Sequence, residues 1–154
     1  MILSKSNSRN IILSFHNELK TVEYNIQKIN IPGLSISPVE IKTMFGSLFQ
    51  KGDNVKFEPI KASVIIDEEF KTFKELYDCI VKSVNPITGV IVPNHTTYNI
   101  KMSILNNFNI PIIILNFKEA WISSFGDKDM DFVASEDMTT QISIIYNSYE
   151  FISI

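Results

Sequence analysis

The sequence predicts a mainly β (α+β) protein: a curved antiparallel β-sandwich or barrel with one flanking α-helix at about 68–84. Apolar and polar residues alternate along most of the chain, which is typical of strands with one face in water. The parity of this alternation switches within several runs, and a switch requires a bulge or bend, so a curved sheet fits better than a flat one. Because no internal repeat or flexible linker divides the 154 residues, we expect a single domain, 1–154.

The first third of the chain predicts short strands joined by turns. Asn17-Glu18 and Pro32-Gly33 have the composition of turns. The apolar parity changes after Lys28 and again at Pro38, so the strands are expected to bend at these points. The predicted strands cover residues 11–15, 21–27, 34–36 and 39–41.

The stretch from Val55 to Val84 predicts one long strand followed by the only convincing helix. The strand, 55–66, changes parity at Pro59, where proline is tolerated at a bulge or bend. Asp67 supplies an N-cap carboxylate, and Asn85-Pro86 ends the helix. Apolar residues at spacings of three and four predict one core-facing helical stripe, made of Phe70, Phe73, Tyr77, Ile80, Val81 and Val84.

The second half of the chain predicts three more strands, at 97–104, 110–117 and 139–154. The run 110–117 is almost continuously apolar, which indicates a strand covered on both faces. The last strand is apolar up to its end, and such a strand would be prone to aggregation if its edge were free. We therefore expect Phe151, Ile152 and Ile154 to be covered by this domain or by another copy.

The segment between Thr43 and Asn54 is predicted to be a loop and is unusually apolar for one. It carries Met44, Phe45, Leu48 and Phe49 beside two glycines. Four large apolar side chains would form a patch of a few hundred Å² on the surface. Two interpretations remain open: these side chains close one end of the sandwich, or they dock on a neighbouring subunit.

Residues suited to chemistry are few. Net charge is −3, Arg9 is the only arginine and no basic patch carries interleaved aromatic residues, which argues against direct nucleic-acid binding. Cys79 stands alone, and His16 and His95 lie in no metal-ligand spacing. We therefore expect no catalytic, cofactor-binding or metal site, and no apolar run is long enough to span a membrane.

The acidic segment from Asp127 to Asp137 begins like a calcium-binding EF-hand loop, with carboxylates at Asp127, Asp129 and Asp131. An EF-hand requires glycine at the sixth position and glutamate at the twelfth. Phe132 and Met138 occupy these positions, so the segment is expected to be a solvated acidic loop.

Several motifs, in order, resemble structural tail proteins of T4-like contractile-tailed bacteriophages. The resemblance extends from about residue 10 to the end of the chain. It rests on Ile31-Pro32-Gly33-Leu34-Ser35, the run Gly52 to Pro59, the run Ile66 to Phe70 leading into Glu75-Leu76-Tyr77, the run Asn85 to Gly89, the run Phe117 to Ile122, and a terminal strand with Tyr146 and Tyr149.

The resemblance implies a fold of the tail-tube type and assembly into rings that stack as the tube or cap its ends at the baseplate or neck. It also implies a loop between two early strands that reaches a neighbouring ring, here Thr43 to Asn54. Because this loop is short, a baseplate hub or tube-end ring fits at least as well as the repeating tube subunit. The implied inter-subunit contacts are Met44, Phe45, Leu48, Phe49, Phe151, Ile152 and Ile154.

The function implied is that of a non-enzymatic virion structural protein, a homo-oligomeric ring of six subunits around the DNA-ejection channel. Its expected partners are other tail or baseplate proteins, with DNA only as transiting cargo and no membrane contact. Its expected location is the virion tail, and the host cytoplasm during assembly. The alternative is a β-sandwich module that binds a carbohydrate or receptor through an exposed aromatic platform, for which Trp121, Tyr98 and Tyr149 are the candidates.

Overall fold

The computed structural model describes residues 11–15, 19–92, 97–127, 130 and 137–153. Strands hold 53% and helices 15% of the described residues, so the predicted mainly β class with one main helix is confirmed. The elements are β1 (Ile11–Ser14), α1 (Lys20–Asn25), β2 (Ile26–Ile29), β3 (Leu34–Ile36), β4 (Val39–Thr43), β5 (Gly46–Gln50), β6 (Val55–Phe57), β7 (Ile60–Ile65), α2 (Lys71–Ser83), β8 (Tyr98–Leu105), β9 (Pro111–Phe125), β10 (Thr139–Ile145) and β11 (Ser148–Ser153).

A bent antiparallel sheet forms the body of the molecule. Its strand order is β1-β8-β9-β10-β7-β2, and β11 also pairs with β9. The first half of β9 pairs with β8 and β11, whereas its second half pairs with β10. Between the halves Glu119 has a positive φ of 52°. The core-facing positions change there from Leu115 and Phe117 to Ala120 and Ile122, so one strand bends the sheet around the core.

Helix α2 covers one side of this core and is shorter than the predicted 68–84. The predicted core-facing stripe was wrong in part, because Phe70 and Tyr77 are exposed while Thr72, Leu76 and Cys79 are buried. The helix begins only at Lys71, after Phe70 in a left-handed conformation (φ 54°), and its buried positions Leu76 and Cys79 lie one residue before the predicted Tyr77 and Ile80. Neither α1 nor α2, the helices of the described part, is long and apolar enough to span a membrane.

The predicted strand at 21–27 was wrong over most of its length. Lys20–Asn25 forms α1, and a strand begins only at Ile26. The backbone N–H of Val22 donates to Glu75 Oε2 at 3.0 Å, and Asn25 Nδ2 donates to Thr72 Oγ1 at 2.8 Å. Contacts with α2 therefore stabilise a helical turn in a segment whose local pattern is that of a strand.

Four other predicted boundaries were wrong. Two predicted strands are each divided into two strands, one is longer than predicted, and one predicted loop contains a strand. The predicted strand 55–66 is two strands, β6 and β7, which pair with different partners on either side of Pro59. The predicted strand 139–154 breaks at Tyr146-Asn147 into β10 and β11. The strand at 110–117 continues to Phe125 as β9, and its outer face is not covered, since Ile112 is exposed. The predicted loop 43–54 contains β5.

Several predictions fall on residues outside the described part of the chain. These are the turn at Asn17-Glu18, both histidines, most of the acidic segment including Asp129 and Asp131, and the terminal Ile154. They stay predictions.

The Asp67 carboxylate, predicted to cap α2, accepts hydrogen bonds from the backbone N–H of Thr72 at 2.8 Å and of Lys71 at 3.2 Å. The Thr72 bond is the main cause that holds the pKa of Asp67 below its usual range.

We expect Asp67→Ala to lower the thermal midpoint, whereas Glu68→Ala, at the exposed neighbouring position, leaves it unchanged. Since the ionised form is favoured by folding, this stabilisation is present above the ordinary aspartate pKa. The difference between wild type and Asp67→Ala should therefore vanish as pH falls through the folded-state pKa; a difference that persists in acid would contradict the cap.

Candidate inter-subunit interface

A β-arm, defined as residues Leu34 to Phe57, projects from the body. Two short antiparallel ladders build it: β3 pairs with β6 near the body, and β4 pairs with β5 at the far end. Every residue from 33 to 51 is exposed to solvent. An isolated two-stranded ribbon is marginally stable in water, so the arm gains stability when another surface covers it.

The register gives each of the two ladders of the arm one strongly apolar face. In the far ladder Ile41 lies opposite Leu48, and in the near ladder Ile36 lies opposite Val55. The other face of the far ladder carries Glu40, Lys42 and Ser47, with Phe49 as its one large apolar residue. An exposed apolar ribbon face is typical of a docking surface.

The tip of the arm is a tight turn made by Met44 and Phe45. The Thr43 hydroxyl donates to the Gly46 carbonyl at 2.6 Å, and Gly46 has a φ of 141°, which favours glycine. Phe45 is 99% exposed and Phe49 is 69% exposed. The interpretation in which the apolar residues close this chain's own sandwich is therefore wrong.

The two ladders of the arm meet at Gly52. A Cβ at this position would lie 2.0 Å from the Ser37 carbonyl oxygen, so only glycine allows the two chain segments to approach this closely. Gly33, just before the arm, has nothing within 4 Å of the corresponding position. The joint therefore depends on Gly52 for its geometry.

A second candidate surface is the outer edge of β11, which has no second partner among the described strands. This strand pairs with β9 on one side, and β1 at the opposite edge pairs with β8. Phe151 is 64% exposed and Ile152 is also exposed. The predicted contact residues thus divide between two surfaces, the arm and the β11 edge, which lie in different sheets.

Sequence reasoning missed a third surface, the outer face of β1, β8, β9 and β11. One row across these strands is polar: Ser14, Lys101, Asn116 and Glu150. The neighbouring row is mainly apolar: Ile12, Ser103, Ile114 and Ile152. Lys118 Nζ lies 3.0 Å from Glu150 Oε2 and lowers the pKa of that carboxyl. Period-2 patterning marks these positions as outward-facing, but their grouping requires the strand register.

No protein-family model matches the sequence. The tail tube terminator protein of Enterobacteria phage T4 is 24% identical over 143 residues, which cover 88% of this chain and 81% of the T4 protein. Several solved structures share the fold, among them two tube terminators. The tube-terminating cap of the anti-feeding prophage superposes with a TM-score of 0.72 at 12% identity, covering 100% of this chain and 95% of the other.

The second structure is the sheath/tube terminator of the PVC extracellular contractile injection system in its extended state. It gives a TM-score of 0.72 at 14% identity, covering 99% of this chain and all of the other. The fold is that of tube-end proteins of contractile injection systems, and the sequence relative is a phage tail protein. The chain is therefore similar in sequence to a T4 tail protein and shares the fold of tube-end proteins, in line with the resemblance that its motifs indicate.

Proposed function

We propose that the chain forms a ring of six identical subunits that terminates a phage tail tube, without catalysis. The observation that carries this proposal is an exposed, apolar β-arm on a body in which β1 and β11 each pair on one side only among the described strands. The similarity to the T4 terminator over most of both chains supports the tube-end position over the hub and the repeating tube subunit.

The free edges suit a closed ring. Three antiparallel steps separate β1 from β11, so β11 runs opposite to β1 and can pair antiparallel with β1 of the next subunit. Such a heterologous contact closes into a ring when the rotation closes. This pairing would cover Phe151 and satisfy the edge hydrogen-bonding groups that would otherwise favour aggregation.

Strand spacing gives the size of the ring. Strands lie about 4.8 Å apart, so four per subunit and six subunits give a circumference of about 115 Å and a diameter of about 37 Å between backbones. Strand tilt widens the ring. A side-chain layer of about 5 Å on each wall leaves a bore of roughly 27 Å, enough for a DNA duplex.

The outer face of β1, β8, β9 and β11 would line the channel. The rest of the body, on the other side of these strands, takes up more space and would therefore lie at the outside of the ring, where the circumference is larger. In the polar part of this face Lys118 is already paired with Glu150. Binding to DNA phosphates requires unpaired cations, and beside the paired Lys118 the described part of this face carries only one further lysine, Lys101, so it would hold passing DNA only weakly. DNA is thus proposed as transiting cargo.

The arms would dock axially on the last ring of the tube. The arm has apolar side chains on both faces, Ile41 and Leu48 on one and Phe49 on the other. A ribbon of this kind fits a groove between two neighbouring subunits, where both faces lose water. The partners are accordingly other tail proteins, in the virion and, during assembly, in the host cytoplasm.

The alternative of a carbohydrate- or receptor-binding module is not favoured. Its candidate aromatic residues, Trp121, Tyr98 and Tyr149, are each half-buried. The Tyr98 hydroxyl contacts Cys79 Sγ at 3.0 Å, and the Tyr149 ring packs against Phe117 with centroids 5.3 Å apart. These side chains therefore stabilise the body and form no exposed platform.

Addition of the purified chain to growing tail tubes of the same phage tests the proposal. We expect the chain to bind one tube end as a ring of six, measured by native mass spectrometry of the released caps, and to stop elongation. Tubes that keep growing with an excess of the chain present would contradict a terminator role.

A further inference from the structure

Two tyrosine hydroxyls hold the base of the β-arm against the body. Tyr146 OH donates to the Glu58 carbonyl at 2.7 Å, immediately after the strand by which the chain leaves the arm. Tyr149 OH donates to the Pro32 carbonyl at 3.4 Å, just before the strand by which the chain enters it. Tyr146 lies in the turn between β10 and β11, and Tyr149 lies at the start of β11. One short segment therefore contacts both chain segments at the base of the arm, the one that enters it and the one that leaves it.

A row of aromatic rings continues from this base to the free sheet edge. The Phe57 ring, at the end of the arm, meets both Tyr146 and Tyr149 at centroid distances of 5.8 Å. Tyr149 in turn meets Phe151 at 5.7 Å. These edge-on contacts have the geometry that aromatic pairs prefer. The row therefore extends from the arm to the edge proposed for ring closure.

The chain segments that enter and leave the arm are also hydrogen-bonded to each other. Glu58 N–H donates to the Gly33 carbonyl at 3.1 Å, and Asn30 Nδ2 donates to the Pro59 carbonyl at 3.4 Å. These bonds join the two strands of the arm's base, whereas the tyrosine hydroxyls join that base to β10 and β11. The tyrosine contacts thus join the arm's base to β10 and β11, in addition to its continuity with β2 and β7 and the packing of Phe57 against the core.

We propose that Tyr146 and Tyr149 are positioning residues that fix the direction of the β-arm for docking on the tube end. The inference rests on the proposed function, because docking is what a fixed direction serves. Residues 33 to 51 of the arm are all exposed, so among the described residues the arm is held to the body only at its base. Holding the arm in its bound direction lowers the ordering cost of docking.

Two observations support this role. Burial raises the pKa of Tyr146 to about 12, so its hydroxyl keeps the donated proton throughout the physiological range. A cleft of about 130 Å³ lies between the base of the arm and the body, lined by Phe57, Pro59, Ile145 and Tyr146. The base of the arm therefore borders a space into which the arm can shift once the two tyrosine hydrogen bonds are lost.

The test measures the direction of the arm in the isolated chain and its affinity for tube ends. Spin labels are placed at Met44→Cys on the arm tip and Lys82→Cys on α2, both exposed, in a Cys79→Ser background. Tyr146→Phe/Tyr149→Phe is compared with Tyr98→Phe in the same background, which removes a tyrosine hydroxyl that faces position 79 in the body. Double electron–electron resonance then gives the distribution of label-to-label distances.

We expect a narrow distribution for the parent chain and for Tyr98→Phe, and at least a twofold broadening for the double variant. Affinity for tube ends should fall about tenfold in the double variant, since two hydrogen bonds that orient the arm are lost. An unchanged width of the distance distribution in the double variant would overturn the proposal. A broadened distribution with undiminished affinity for tube ends would overturn it as well. If even the parent chain fails to bind tube ends, the terminator function is wrong, and the distance measurement alone then decides whether the tyrosines hold the arm.

Discussion

Phe45→Asp/Phe49→Asp is expected to abolish docking of the chain on tube ends while leaving the chain as stable as wild type. Both side chains are exposed in the single subunit, so folding does not depend on them. In the assembled tail they would lie at the centre of the arm's contact, where each large aromatic contributes about 2 kcal/mol or more. Two losses of this size, with two charges to desolvate, predict at least a ~100-fold weaker affinity.

Pull-down of labelled chain with purified tubes measures this affinity, and thermal unfolding checks the fold. The matched control is Phe108→Asp, which makes the same substitution at a phenylalanine that is 83% exposed and lies outside the arm. Particles that assemble normally with both arm phenylalanines changed would show that the arm does not dock.

Gly52→Ala is expected to disrupt the arm without unfolding the body. The added Cβ would lie 2.0 Å from the Ser37 carbonyl oxygen and 3.2 Å from its carbon, and neither backbone atom can move aside without shifting β4 and β5. Overpacking of this kind costs about 1–3 kcal/mol, so amide exchange in β4 and β5 should accelerate about tenfold or more.

Among the arm's residues, all of them described, only Phe57 packs against the core, so the body should keep its unfolding midpoint. Hydrogen exchange followed by mass spectrometry separates the arm from the body. Gly33→Ala is the control, since its Cβ meets no atom within 4 Å. Equal exchange in the two variants would mean that the ladders do not depend on the close approach at Gly52.

The sequence predicted the arm's surface better than its structure. Met44, Phe45, Leu48 and Phe49 were recognised because large apolar residues stood where a polar loop is usual. The hairpin was missed because neither face of the arm is buried in this chain, so no core imposes a readable alternation along it. Its strands are expected to gain stability from the proposed docking contact, which the single chain does not contain.

The short helix α1 shows how packing decides a locally ambiguous segment. Val22 and Ile26 alternate with polar residues as in a strand, yet Val22 is fully buried and Tyr24 lies exposed on the other side of a helical turn. Glu75, 53 positions along the chain, accepts the Val22 N–H and so supports that turn. A contact of such sequence separation is not readable from six residues.

The tyrosine contacts at the base of the arm were beyond sequence reasoning for the same reason. Tyr146 and Glu58 are 88 positions apart, and Tyr149 and Pro32 are 117 positions apart. Tyr149 was identified as half of a terminal-strand motif and as a platform candidate, but its partner depends on the turn between β10 and β11. The strand pattern predicted one continuous strand there, which would have placed the tyrosine elsewhere.

Electron cryo-microscopy of intact particles, with this chain labelled by a small fusion at its N-terminus, tests the central claim most directly. The account predicts one ring of six copies at one end of the tail tube, with the arms inserted between subunits of the adjacent tube ring and β11 paired with β1 of the next copy. Label distributed along the whole tube, or a copy whose arm and β11 edge touch no other subunit, would contradict it.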